Sequence, residues 1–222
     1  MFDRKEIPDD IPNNHYLTQE SSIKKFIENK DNISVTWLGH ASFLIKLNNE
    51  CILTDPFLTT KAGPFGVGPS RYIKPGIKIS DLPKINTILI SHNHYDHLDI
   101  ASLRKLSNIN HETIFLVPEG DKKLLVNENI KNTFEFKWWD NFQLYGTTFT
   151  FTPAKHWSAR GLFDESRSLW GSWHVENQNL SLLHAGDTGY SDDFKIIKKR
   201  PLIYGKNVMG GTFIPEWFKL NS

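Results

Sequence analysis

Cysteine is nearly missing from this chain: Cys51 stands alone among 222 residues, so no intramolecular disulfide can form and no framework of bridges replaces a hydrophobic core. Its run Cys51-Ile52-Leu53 reads as a buried strand in which the thiol packs as a small apolar group, and a reducing compartment suits it. Long apolar stretches are lacking too. None approaches the ~20 residues that a membrane-spanning helix needs, and the charged start Met1-Phe2-Asp3-Arg4-Lys5-Glu6 leads into Pro and Asn instead of the apolar run of a secretory signal. A cytoplasmic location is expected, with any contact with membrane peripheral. Nor is there an excess of charge of one sign: 26 Lys and Arg against 25 Asp and Glu leave +1, which gives no field to draw the chain to nucleic acid.

What is present is core material. Hydrophobic residues make up 39% and aromatics 13%, with 7 Trp and 15 Phe, enough to fill the core of one sizeable domain or to line a pocket. Residues 1–20, rich in Pro, Asp and Asn, are expected to form an extended arm, and 21–222 a single domain. Ser21 to Asn29 sets Ile23, Phe26 and Ile27 at helical spacing behind a serine cap. Ile33–Leu38, Phe43–Leu47 and Cys51–Thr54 read as consecutive antiparallel strands with a tight turn at Asn48-Asn49. From Ala62 to Pro75, repeated Gly and Pro predict a long surface loop. Ile85–Ser91 is a strand, and Ile100, Leu103 and Leu106 carry a helical period after it. Further strands are expected at Ile114–Val117, Phe134–Trp138, Gln143–Leu144, Thr147–Thr152, Leu169–Val175 and Leu180–His184. Many strands with helices between them fit two sheets packed face to face with helices outside.

The chemistry concentrates in Ser91-His92-Asn93-His94-Tyr95-Asp96-His97, at the end of the strand over 85–91. In extended backbone alternate side chains share a side, so His92 and His94 face one ion, while the turn into the next helix swings Asp96 and His97 toward a second. A polar loop whose members bond one another would not need three histidines and an aspartate in six positions. Two distant segments can complete such a site. His156 follows the strand over 147–152 and would make a set of three histidines with His92 and His94. Asp187, in Ala185-Gly186-Asp187-Thr188-Gly189, lies where glycines let backbone pass close to the ions and could bridge both. Taken alone, His156 is equally a core or surface histidine and Asp187 a turn residue.

These residues, together with Thr36-Trp37-Leu38-Gly39-His40-Ala41-Ser42, Leu53-Thr54-Asp55-Pro56, Pro153-Ala154-Lys155-His156-Trp157-Ser158-Ala159-Arg160-Gly161, Leu169-Trp170-Gly171-Ser172-Trp173 and Ala185 to Tyr190, resemble the N-acyl-phosphatidylethanolamine-hydrolysing phospholipase D branch of the metallo-β-lactamase superfamily. The likeness runs from about residue 30 onward. It implies an α/β fold, the αββα sandwich, and two zinc ions. By that resemblance His92, His94 and His156 bind the first ion, Asp96 and His97 the second, and Asp187 bridges. It also implies a lipid phosphodiester substrate met at a membrane surface, cleaved to phosphatidate and an N-acylethanolamine with Asp96 orienting the attacking water. Asp55 resembles the family's buried aspartate that supports the ligand loop, though an Asp-Pro turn is a second reading. His40 may be read as facing the pocket or as a hydrogen-bonded structural residue; Tyr95 and Tyr190 as substrate contacts or as packing.

The sequence departs from this family in one respect. No histidine follows His184, whereas the family places one more metal ligand downstream, after a segment resembling Phe213–Lys219. The expectation is therefore a C-terminally incomplete sandwich whose second ion lacks one histidine, with a sheet edge that a homodimer would cover. An inactive remnant, or a lactonase or soluble phosphodiesterase of the same superfamily, stands as the alternative to the lipid enzyme.

Overall fold

The computed structural model describes residues 16–161, 163–178 and 180–198. Residues 1–15 of the expected arm and the segment Phe213–Lys219 lie outside the described residues. The first helix, α1 (Gln19–Glu28), starts two residues before the expected one: its cap is Thr18, whose hydroxyl accepts from Ser21 N at 3.2 Å. Gln19 and Glu20 therefore belong to a helix and not to the arm. Ile23 and Phe26 pack on the core, whereas Ile27 is 63% exposed, so the apolar stripe is narrower than the spacing implied.

Strands β1 (Ile33–Gly39), β2 (Ser42–Leu47) and β3 (Glu50–Thr54) form the expected antiparallel meander. Asn48 takes φ 55° in the tight turn, a left-handed conformation that asparagine tolerates. From β3 the sheet continues in parallel through β4 (Thr87–Leu89), β5 (Ile114–Pro118) and β6 (Thr133–Phe136), in the order β1-β2-β3-β4-β5-β6. Helix α2 (Ile100–Ile109) connects β4 to β5, and α3 (Lys122–Asn127) connects β5 to β6. Asp99 caps α2 by accepting from Ala101 N. The second sheet is antiparallel, with β7 (Asn141–Leu144), β8 (Thr147–Thr152), β9 (Ser172–Glu176) and β10 (Ser181–His184) in the order β10-β9-β8-β7. A short α4 (Asp193–Lys198) follows.

The period-two rule explains the layering. Along β2, β3, β4 and β5 every second side chain, Leu44, Leu53, Ile88 and Phe115, points to the helices and meets Leu103, Leu106 and Leu125. The alternate set, Ile45, Ile52, Leu89 and Leu116, points to the other sheet and meets Phe149, Phe151, Trp173 and Val175. Both faces of the parallel strands are thus buried, which is why they read as unbroken apolar runs. Fully burying one such side chain contributes about 1.5–3 kcal/mol, so the two cores account for most of the driving force.

Strand β4 is shorter than the run over 85–91, and the reason positions the site. Beyond Leu89 the backbone partners change: Ile90 O accepts from Trp173 Nε1, Ser91 O accepts from Gly171 N, and Ser91 N donates to the Asp55 carboxylate. The chain leaves its own ladder to bond the start of β9. The carboxyl ends of β3, β4, β8 and β10 therefore meet at one edge of the two sheets, where open α/β sheets place their ligands.

Candidate metal centre

Asp55 leaves β3 with φ 37° and a fully buried carboxylate. Its Oδ1 accepts from Ser91 N at 2.7 Å, and its Oδ2 stands 2.7 Å from Ser91 Oγ, 2.8 Å from His97 Nδ1 and 2.7 Å from His184 Nε2. Burial alone would raise its pKa, but His184 and His97 hold it well below the usual carboxylate range. It thereby bonds both ends of the loop at 91–97, at Ser91 and at His97.

Because His97 spends Nδ1 on Asp55, its Nε2 faces inward. That atom is buried, makes no hydrogen bond, and lies 3.4 Å from Asp187 Oδ1. Burial opposes a charge on this ring, yet the carboxylates of Asp55 and Asp187 push its pKa up to about 10. The position demands positive charge, and a metal ion competes there with a proton.

Three histidines meet beside it. His92 Nε2 and His94 Nδ1 are 2.9 Å apart, and His156 Nε2 is 3.2 Å from each. Donor atoms bound to one zinc-type ion at 2.0–2.1 Å stand ~3.3 Å apart in a tetrahedron, so the triangle has the size of a coordination face. His92 turns Nε2 inward because Ser91 Oγ takes its Nδ1 at 2.9 Å. Burial first, then the neighbouring His97, lower the pKa of His92 to about 2; burial likewise lowers those of His94 and His156. Burial thus favours the neutral form of all three rings, which leaves lone pairs available to a metal.

Asp187 follows β10 through Gly186, where φ is +60° and a Cβ would stand 2.6 Å from Ser91 Cβ. Only glycine lets this loop pass so close to the ligand loop. The donors form three groups whose ligating atoms all lie within 4.8 Å of one another: His92 with His94 and His156, His40 with Asp96 and His97, and His92 with His97 and Asp187. The third group overlaps the other two, which is the placement a bridging carboxylate needs. An orphaned buried imidazole nitrogen and three converging imidazoles fit metal ions that take nitrogen and oxygen donors, unlike the all-oxygen sets that calcium and magnesium prefer.

The remaining residues divide. His40 Nε2 stands 3.0 Å from Asp96 Oδ2, and together with His97 it holds the Asp96 carboxyl below its ordinary range against burial. Tyr95 turns to the next loop: its hydroxyl donates to Arg160 O at 2.9 Å and its ring lies 4.0 Å beneath the Arg160 guanidinium. Tyr190 is 57% exposed, beside the Asp187 loop. Trp157 packs edge to face on His94 with ring centres 4.4 Å apart and is 46% exposed.

Residues that the sequence reading passed over complete the frame. Arg160 Nη1 donates to the carbonyls of Asn93 at 2.9 Å and Leu98 at 2.7 Å, clamping the loop that carries His156 onto the loop at 92–97. Asn93 donates to Asp121 at 3.0 Å. His184 joins Asp55 from the end of β10. Arg160 follows His156 in the His-Trp-Ser-Ala-Arg-Gly run and His184 ends the expected strand over 180–184, and nothing local marks the partner that each reaches.

A family model described as a beta-lactamase superfamily domain matches residues 50–201. N-acyl-phosphatidylethanolamine-hydrolyzing phospholipase D 1 of Caenorhabditis elegans is 33% identical over 97% of this chain and 62% of its own length. The mitochondrial N-acyl-phosphatidylethanolamine-hydrolyzing phospholipase D of Saccharomyces cerevisiae is 37% identical over 82% of this chain and 40% of its own. The chain thus spans less than two thirds of the length of either relative. Among solved structures, a possible metal-dependent hydrolase from Veillonella parvula superposes with a TM-score of 0.59 at 18% identity, covering 75% of this chain and 67% of that one. A metallo hydrolase from Ignicoccus hospitalis gives 0.56 at 19%, covering 76% and 66%; at such identities these two speak for the fold alone. With the two-sheet architecture and the match over residues 50–201, this chain belongs to the metallo-β-lactamase superfamily.

Proposed function

We propose that the chain is a metal-dependent hydrolase that holds two zinc-type ions and cleaves the phosphodiester of an N-acylphosphatidylethanolamine to phosphatidate and an N-acylethanolamine. The observation that carries the metal reading is the closing of three imidazole nitrogens to 2.9 and 3.2 Å, with Asp187 linking them to His97. The names of the relatives at 33% and 37% identity support the substrate.

Two ions held by His92, His94, His156, Asp96, His97 and Asp187 would supply Lewis acidity, making a nucleophilic water available near neutral pH and offsetting charge that develops on the phosphoryl oxygens. Asp96, partly exposed while His97 is buried, stands on the solvent side of the centre as a carboxylate. From there it holds a proton of the attacking water and aims its oxygen at phosphorus. The bond that forms joins water oxygen to phosphorus. The bond that breaks joins phosphorus to the ethanolamine oxygen, which takes up a proton as it leaves. Trp157 gives an apolar wall beside His94 that suits an acyl chain. No helix among the described residues is long and apolar enough to cross a membrane.

Zinc-loaded protein incubated with vesicles containing N-acylphosphatidylethanolamine is expected to release N-acylethanolamine, and His94→Ala to abolish the release. A two-ion sample that leaves the lipid intact overturns the substrate assignment. Turnover of a lactone or a soluble phosphodiester by that sample would name another hydrolase, and inertness toward all three an inactive remnant.

A further inference from the structure

We propose that His40 is a direct ligand of the second ion, donating through Nε2 beside Asp96 and His97; the proposal rests on the two-ion reading above. His40 comes from a part of the fold that supplies none of the other donors, the turn between β1 and β2. Its Nε2 lies 3.0 Å from Asp96 Oδ2, and its ring stands edge to face on His97 with centres 5.3 Å apart. His40, Asp96 and His97 form a group of three donors with one ligating atom each within 4.8 Å of the others, and His97 Nε2 is buried and makes no hydrogen bond.

The backbone is bent to put the imidazole there. The register of β1 against β2 slips between Trp37 and Gly39, a bulge of the kind that re-aims a side chain. Gly39 has φ +107° and His40 φ +52°, the latter a left-handed conformation that a side chain adopts only at a cost of about 1 kcal/mol or more. Three contacts hold the strained turn. Trp37 Nε1 donates to His40 O at 2.8 Å, the Arg71 guanidinium fills the space where a Cβ on Gly39 would sit, and Phe57 meets the His40 ring edge to face at 5.9 Å. Arg71 is anchored in turn on Phe57 O and Ile73 O. A histidine that served only packing would not need strain and this many supports to face a carboxylate in a partly open cleft; a ligand that must reach an ion does.

The competing role is orientation of Asp96 by a hydrogen bond. Metal affinity alone does not separate the two, because removing a group that merely orients a ligand already costs about 10- to 100-fold. Hyperfine-shifted imidazole N–H signals of the two-cobalt protein do separate them, since only a ring bound to the ion gives one. We expect His40→Ala and His40→Gln each to lose one shifted N–H signal present in the parent and to hold the second ion at least tenfold more weakly. His111→Ala, on an exposed histidine, keeps every signal. His40→Gln retains a side chain that can hydrogen-bond Asp96, so unchanged signals in that folded variant overturn the proposal. A parent chain that takes up one ion overturns both it and the two-ion reading. A two-ion parent that leaves the lipid uncleaved overturns the substrate alone.

Discussion

His184 Nε2 meets Asp55 Oδ2 at 2.7 Å across 129 residues of chain, on the same carboxylate oxygen that takes His97 Nδ1 at 2.8 Å. The end of β10 is thereby tied to the end of β3, one in each sheet, and the charge of Asp55 is divided between two imidazoles. One of these supports the fold, and the other presents its free nitrogen to the centre.

Removing either partner leaves buried groups unmatched. His184→Ala is expected to destabilise the protein by about 1–3 kcal/mol, the cost of an unpaired buried polar group. Asp55→Asn should cost more, about 3–5 kcal/mol, because it strips a paired buried charge from two histidines at once. Denaturant midpoints at constant slope measure both, and equal losses in the two variants would contradict the shared-carboxylate account.

Arg160 makes a separate prediction. Its guanidinium ties two backbone carbonyls of the ligand loop to the segment that brings His156. Arg160→Lys keeps the charge but cannot reproduce the planar fork or the stacking on Tyr95. The variant should stay folded and release the first ion to a competing chelator about tenfold more readily. Unchanged affinity in the chelator titration would show that the clamp does not set the position of His156.

Asp121 predicts a pH dependence of stability. Burial pushes its pKa up to about 7, from an ordinary value near 3.8, against the hydrogen bonds from Ser168 and Asn93. A carboxyl with a raised folded pKa contributes stability that is complete below pH ~4 and is lost as pH rises toward ~7. The stability of the parent relative to Asp121→Asn should therefore fall across that window, by an amount on the order of a few kcal/mol, and level off above it. Paired urea titrations from pH 4 to 8 check this; a flat difference would place a charged Asp121 in the fold at every pH.

The legible parts of the molecule are those that local periodicity controls. Alternation in β1 and β8, the apolar runs of β2 and β3, and the helical period of Ile100, Leu103 and Leu106 gave those elements near their observed ends. The histidines at 92, 94 and 97 stood out by their density in one short loop after a strand, whereas the Asp55 and Arg160 contacts that orient that loop come from distant segments. Helix α3, with six residues and little period, carried no such signal, and neither did α4. The premature end of β4 was equally hidden, since it depends on Asp55 taking Ser91 N from the ladder. Arg160, His184 and Asp121 act on partners 62, 129 and 28 residues away. Their roles are made by the meeting of strand ends, which only the fold supplies.

Metal stoichiometry after dialysis against zinc tests the central claim most directly. The parent chain should retain two ions, His156→Ala should retain one held by the remaining donors, and Asp187→Ala should weaken both. A parent that retains one ion or fewer, or a count that neither substitution alters, would contradict the convergence of these distant residues on one paired centre.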